Sequence, residues 1–354
     1  MTDLAEKAVI TIFGAGLVGC YVGGMLASRG NNVLFFGREK TGNSVTQYGM
    51  ALSSHHKPIR TIAGDHLKWI SSEAALAGSD LVLVCVKSAD TAKAAAIIDE
   101  YCKAGTTIIS FQNGIGNGDT LRQTIKDNTV LAAMVGFNVV RFDEQPLRYH
   151  CASEGEIIIE DHAHSQYLVQ KLRDADITSR TDSNIQSILW GKLLLNLNNG
   201  VNVLSDLPLK QQLENRYYRK ILALSIEEAL GVIRFCGIKP AKIGKVKPEF
   251  TPALLRLPNF IFKILAGSML KIDENARSSM WEDFVAGRRS EIDYLNGAVC
   301  SLGADHGRPT PVNDKIVELV SLKFDGREPD FASARDMYDA VIQAKNRHHT
   351  NETG

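Results

Sequence analysis

The chain has 354 residues, more than the roughly 250 to 300 at which a single hydrophobic core stops growing, so two domains are expected. Its 44% hydrophobic and 23% charged residues are those of a globular protein and exclude a disordered, collagen-like or coiled-coil chain. Lys plus Arg balance Asp plus Glu at 40 each, which leaves no basic field for nucleic acid or an anionic membrane, and the expected partner is a small molecule.

No charge occurs between Lys7 and Arg29, a stretch long enough to span a bilayer. Its five glycines (Gly14, Gly16, Gly19, Gly23, Gly24), its β-branched start and the acids Asp3 and Glu6 before it argue instead for a buried strand, a glycine turn and a buried helix. Residues 8–13 read as the first strand, 17–28 as a helix and 32–36 as the second strand. The runs 81–86 and 106–111 are continuously apolar or β-branched, as strands covered on both faces should be. Pieces at 130–140 and 156–160 extend the sheet, with Gly136 and Gly155 as breaks. Strands alternating with helical patterns predict βαβ units and a parallel sheet over 1–183.

From Asn184 the spacing turns helical, as in Ile185, Leu189 and Leu193, and predicts a mainly α-helical C-terminal domain over 184–345. Within it, 239–257 carries Pro240, Pro248 and Pro252 among lysines and reads as an irregular excursion, a lid or a packing loop. Residues 346–354 are polar and terminal and predict a frayed or disordered tail.

Gly14-Ala15-Gly16-Leu17-Val18-Gly19 is a G-x-G-x-x-G directly after a strand and opening a helix, which makes the first domain Rossmann-type and dinucleotide-binding. The first glycine allows the tight turn, the second lets a pyrophosphate reach the backbone, and the third lets helix and strand pack closely. After the second strand the chain reads Gly37-Arg38-Glu39. A guanidinium there pairs with a ribose 2′-phosphate and favours NADPH; the alternative is a solvated arginine, with Glu39 on the ribose hydroxyls of NADH. Lys87 and Asn113 follow buried strands and lie at carboxyl ends, the edge where open α/β sheets bind ligands, although a surface charge and an Asn-Gly turn explain them equally well.

In the second domain Lys192 and Asn196 stand four apart on one face of an apolar helix. Two readings fit Lys192: a snorkelling surface lysine, or a lysine facing a partly desolvated cleft and able to serve as a proton donor. Gly287 suits a helix C-cap between Ser279 and Glu291, and Ser290 with Asp293 resembles a capping box that places Glu291 in the first turn of the next helix. An unbroken helix would hold Ser279 and Glu291 about 18 Å apart, too far to share a small substrate. No metal site is expected, since nothing answers the tight cluster Glu160, Asp161, His162 and His164. His55, His56, His348 and His349 read as solvated loop residues, and six cysteines with no close pair suit a reducing compartment.

Four separated blocks resemble the ketopantoate reductase family (2-dehydropantoate 2-reductases) from Ile10 to about Val320: GAGLVG at Gly14, VK at Lys87 with QNG at Asn113, WGKLLLN at Lys192, and SSMWEDFVAGRRSEIDYLNG from Ser278 to Gly297. The last block is the most specific. The resemblance implies NADPH-dependent reduction of a 2-keto acid, with ketopantoate to pantoate, on the way to pantothenate and coenzyme A, as the namesake reaction; the unpaired cysteines make the cytoplasm the expected location, and a homodimer is left open. Position by position, it implies Lys192 as the general acid and Glu291 as the carboxylate holding the substrate hydroxyl or the lysine. Lys87 and Asn113 are then cleft residues beside the nicotinamide and phosphate or substrate, and Asn196 and Ser279 are substrate contacts. One departure is Gly200, where members with the namesake activity often carry asparagine; Asn198, Asn199 and Asn202 are nearby replacements, and the exact keto acid stays open. Two rivals remain. Another two-domain dehydrogenase, acting on a different 2-keto or a 3-hydroxy acid, is opposed by the 279–291 block, and a non-catalytic NADPH-binding regulator is opposed by the retained Lys192 and Glu291.

Overall fold

The computed structural model describes residues 8–54, 57–267, 274–327 and 331–352, and the chain divides into two compact units, 1–185 and 186–354. His55 and His56 lie outside the described residues.

The first unit runs β1 (Val9–Phe13), α1 (Leu17–Ala27), β2 (Asn32–Phe36), α2 (Glu39–Tyr48), β3 (Met50–Ser54), β4 (Lys57–Ile62), β5 (Lys68–Ile70) and β6 (Leu81–Val84). It continues through α3 (Thr91–Tyr101), β7 (Thr107–Ser110), α4 (Asn117–Thr124), β8 (Thr129–Val135), β9 (Val139–Phe142), β10 (Leu147–Cys151), β11 (Ile157–Glu160), α5 (Ala163–Asp174) and β12 (Ser179–Asp182). Eight strands form one sheet in the order β12-β11-β8-β7-β6-β1-β2-β5, and only the β8–β11 pair is antiparallel. Every residue of β6 and β7 is buried, which is why these strands are apolar without alternation. The uncharged run near the amino end is β1, a turn and α1, and among the described residues no helix is long and apolar enough to cross a membrane. A separate four-stranded sheet, β4-β3-β10-β9, was not expected from the sequence; it takes residues 139–140, which were expected to extend the main sheet, into β9.

The second unit is helical: α6 (Ile185–Asn196), α7 (Asn198–Ser205), α8 (Leu209–Glu214), α9 (Arg216–Phe235), α10 (Thr251–Arg256), α11 (Asn259–Leu265), α12 (Ser279–Val285), α13 (Asn296–Asp305), α14 (Pro311–Phe324) and α15 (Ala334–Glu352). The central α9 buries Ile221, Leu224, Ile226 and Ile233. Glu228 on the same helix accepts from the N–H groups of Val312 at 3.0 Å and Asn313 at 2.8 Å, so a carboxylate sits on the positive end of α14. Burial nevertheless pushes the Glu228 carboxyl above its usual range.

Two expectations are corrected in this unit. The proline-rich segment is irregular only over 239–247; Pro248 then opens a 3-10 turn and Pro252 the first turn of α10, positions where the missing N–H has no intrahelical partner to lose. The second is the loop reading of His348, which lies in α15; that helix runs to Glu352, and residues 353–354 lie outside the described residues.

Candidate active site

At the end of β1 the chain turns sharply. The N–H groups of Gly14 and Ala15 both donate to the carbonyl of Phe36 at 2.9 Å, and Gly14 has φ +94°, with its missing Cβ facing the backbone of Val86 at 2.7 Å. A Cβ on Gly19 would press on Ile12 at 2.7 Å, so this glycine lets α1 lie on the strand. Gly16 differs, because a Cβ there would meet nothing nearer than 3.9 Å and the backbone is open to a ligand. No side chain caps α1, which leaves the N–H groups of its first turn, from Leu17 and Val18, for an anion. The loop is therefore a cradle that fits a dinucleotide pyrophosphate.

Arg38 follows β2, is exposed, and precedes the first turn of α2, another positive helix end. Lys87 and Asn113 are exposed beyond the carboxyl ends of β6 and β7. β7, β6, β1 and β2 are consecutive neighbours in the sheet, so the glycine loop, Arg38, Lys87 and Asn113 share one sheet edge. Beneath them lies a buried polar network that sequence reasoning missed. Ser88 Oγ donates to the Asn113 carbonyl at 3.1 Å, and Asn117 Nδ2 donates to the same carbonyl at 2.7 Å. Gln112 Nε2 donates to Thr91 Oγ1 at 2.7 Å and to the Val86 carbonyl at 3.2 Å. These bonds tie the Lys87 loop to the Asn113 loop. The only signal in the sequence is that polar residues flank both strand ends.

In the helical unit Lys192 and Asn196 are both half-buried on α6, while Trp190, Leu193 and Leu194 are fully buried. Desolvation by burial lowers the Lys192 pKa below the ordinary lysine value. Lys192 makes no ion pair with any described residue, so the Lys192–Glu291 pairing that the resemblance allows is not formed here. The irregular segment packs directly on this helix: Ala241 N–H donates to the Ser187 carbonyl at 2.8 Å, and a Cβ on Gly191 would run into the Ala241 carbonyl. Over 239–247 the segment is therefore packed against α6.

Ser279 is the half-buried first residue of α12, and the buried Ser278 caps the helix, accepting from the Trp281 N–H at 3.3 Å. The Ser278 N–H donates to Asn202 Oδ1 at 2.9 Å and ties α12 to α7. α12 ends as expected at Gly287, φ +62°, where the N–H of Gly287 reaches the Phe284 carbonyl and that of Arg288 the Asp283 carbonyl in a Schellman motif. Glu291 is half-buried and precedes the 3-10 turn Ile292–Tyr294; α13 begins only at Asn296. The capping-box reading is thus corrected: Ser290 Oγ accepts from the Ile292 N–H at 3.1 Å in a local turn, and a single 3-10 turn offers Glu291 little dipole.

Residues 10–164 match the family described as ketopantoate reductase PanE/ApbA, and residues 184–324 match its C-terminal part. A PanE/ApbA family ketopantoate reductase from Ralstonia eutropha JMP134 shares the fold with a TM-score of 0.76 and is 30% identical, covering 90% of this chain and 99% of that one. The chain belongs to the ketopantoate reductase family. The 2-dehydropantoate 2-reductase of Halobacterium salinarum is 25% identical over 88% of this chain and 98% of its own length. A D-mandelate dehydrogenase solved with NADH and anilino(oxo)acetate has the same fold, with a TM-score of 0.72 at 21% identity over 90% of this chain and 99% of that one.

Against the ketopantoate reductase pattern, Gly200 is explained by packing. A Cβ there would meet Ile316 at 2.9 Å and both Ile292 and Asn296 Oδ1 at 3.2 Å, so the position points into the interior of the helical unit and has no room for an asparagine. Neither Asn198 nor Asn202 replaces one: Asn198 accepts from Gln212 Nε2 at 2.7 Å, and Asn202 donates to the Leu207 carbonyl at 2.9 Å. Asn199 is half-buried.

Proposed function

We propose that this chain is an NADPH-dependent reductase that converts 2-dehydropantoate to pantoate in the pathway to pantothenate and coenzyme A. The observation that carries this reading is the family match over residues 10–164 and 184–324, whose second part holds Lys192 and Asn196 on one face of α6. NADPH, when bound, supplies the hydride. The backbone of Gly14, Ala15, Gly16, Leu17, Val18 and Gly19 holds the pyrophosphate, Arg38 pairs with the 2′-phosphate, and Lys87 and Asn113 hold the nicotinamide end. Lys192 protonates the keto oxygen as C2 accepts the hydride, so that carbonyl becomes hydroxyl with no charge left behind. Asn196 and Ser279 bind the substrate, and Glu291 accepts a hydrogen bond from its hydroxyl. The reductase works in the cytoplasm, a reading supported by six free thiols. It assembles as a homodimer, a reading supported by the dimeric ketopantoate reductase of Staphylococcus aureus; sedimentation velocity at one copy's mass would remove it.

The test of the activity is NADPH oxidation on a panel of 2-keto acids, with 2-dehydropantoate expected to be the best substrate. Preference for an aryl keto acid would move the reading toward the chemistry of the D-mandelate relative. Failure on every member with NADPH still bound would leave a non-catalytic regulator.

The cofactor assignment has its own test. Arg38→Ala should weaken NADPH binding by about 1.5 to 3 kcal/mol through loss of a charge-assisted phosphate pair, and hardly change NADH. Titration of both cofactors reads this, and equal losses would return Arg38 to the solvated reading.

A further inference from the structure

The Arg38 turn rests on one aromatic side chain. Trp69 on the edge strand β5 stands in register with the buried Phe35 of β2, and the two rings stack at 5.9 Å with 5° between their planes. Two glycines then bring the turn down onto the indole. A Cβ on Gly37 would meet Trp69 Cζ2 and Ala15 Cβ, each at 3.0 Å, so Gly37 lies between the indole and the pyrophosphate loop. A Cβ on Gly42 would run into Cδ1 and Nε1 of the indole, so the first turns of α2 lie flat on it. Nε1 is buried beneath α2 with no hydrogen-bond partner among the described residues. Leaving a buried N–H unpaired is costly, and it is tolerated here in a contact whose apparent gain is close packing of α2 on the ring. Arg38 itself is exposed between these two glycines, with no side-chain partner of its own among the described residues. Its position is therefore set by the backbone on either side.

We propose that Trp69 is a positioning residue for cofactor choice: its indole holds the Gly37–Gly42 turn so that the Arg38 guanidinium is presented to the 2′-phosphate of NADPH. This rests on the reading of Arg38 given above. The phosphate is read by a single flexible side chain, so discrimination depends on how tightly its backbone is fixed.

The experiment is a direct titration of NADPH and NADH against Trp69→Leu and against Gly42→Ala, with circular dichroism to follow folding. Trp69→Leu keeps an apolar side chain and removes the platform, whereas Gly42→Ala keeps the platform and lifts the turn from it. Both are expected to raise the NADPH dissociation constant by about tenfold and the NADH constant by less than about twofold. Equal losses of both cofactors, or no loss in either variant, would overturn the proposal. Arg38→Ala is measured beside them. If it keeps the NADPH preference, the Arg38 reading fails by itself; if it loses the preference, adding Trp69→Leu should change the ratio no further.

Discussion

Lys192→Ala is expected to lower kcat for keto-acid reduction by about 10²- to 10⁴-fold, the usual worth of a positioned general acid, while the NADPH dissociation constant stays near wild type. The fold should survive, because Lys192 makes no ion pair among the described residues and its ammonium is held in a desolvated place that an alanine relieves. The sign of the pH dependence follows from the same feature. The ammonium is the donor, so activity is present below the Lys192 pKa and is lost as pH rises through it. Desolvation lowers that pKa, which places the alkaline limb below the ordinary lysine range. The limb should disappear from the residual activity of the mutant. Near wild-type turnover, or an unmoved limb, would return Lys192 to a structural lysine.

Arg219→Ala is expected to destabilise the protein by on the order of 4 kcal/mol, or roughly 10 °C in melting temperature. Its guanidinium is fully buried and faces no carboxylate among the described residues; instead it donates to the carbonyls of Leu213 at 2.8 Å, Leu255 at 3.0 Å and Leu257 at 2.8 Å, and to Asn259 Oδ1 at 3.0 Å. It also lies 4.1 Å over the ring of Phe262. One side chain thus joins the ends of α8, α10 and α11 to α9. Removing it leaves several buried acceptors without donors as well as a cavity. Arg219→Met fills most of the volume and should recover only the cavity part. Arg219→Lys keeps the charge but has too few donors in the wrong geometry, and should recover less than half. Thermal melts of the three variants read the ordering, and an Arg219→Ala protein melting within about 2 °C of wild type would show that the carbonyls find water instead.

What could be read without coordinates was local or repeated along the chain. β6 and β7 were legible because strands covered on both faces are continuously apolar, and the glycine loop because its three glycines answer three separate steric demands within six residues. Lys192 and Asn196 shared a face by helical period alone. What only the tertiary structure decided came from distant segments. The second sheet pairs β3 with β10 and brings together Ser53 and His150, 97 residues apart, which no local pattern announces. Prolines that read as breakers turned out to start helices, because a residue that cannot donate is harmless where no acceptor waits. Gly200 read as a missing substrate contact until Ile292 and Ile316 were found against it, and Trp69 carried no signal until the register of β2 and β5 set it under Gly37 and Gly42. The physical reason is the same in each case: period and propensity act between neighbours in the chain, whereas the room available to a side chain depends on whichever other segment packs there.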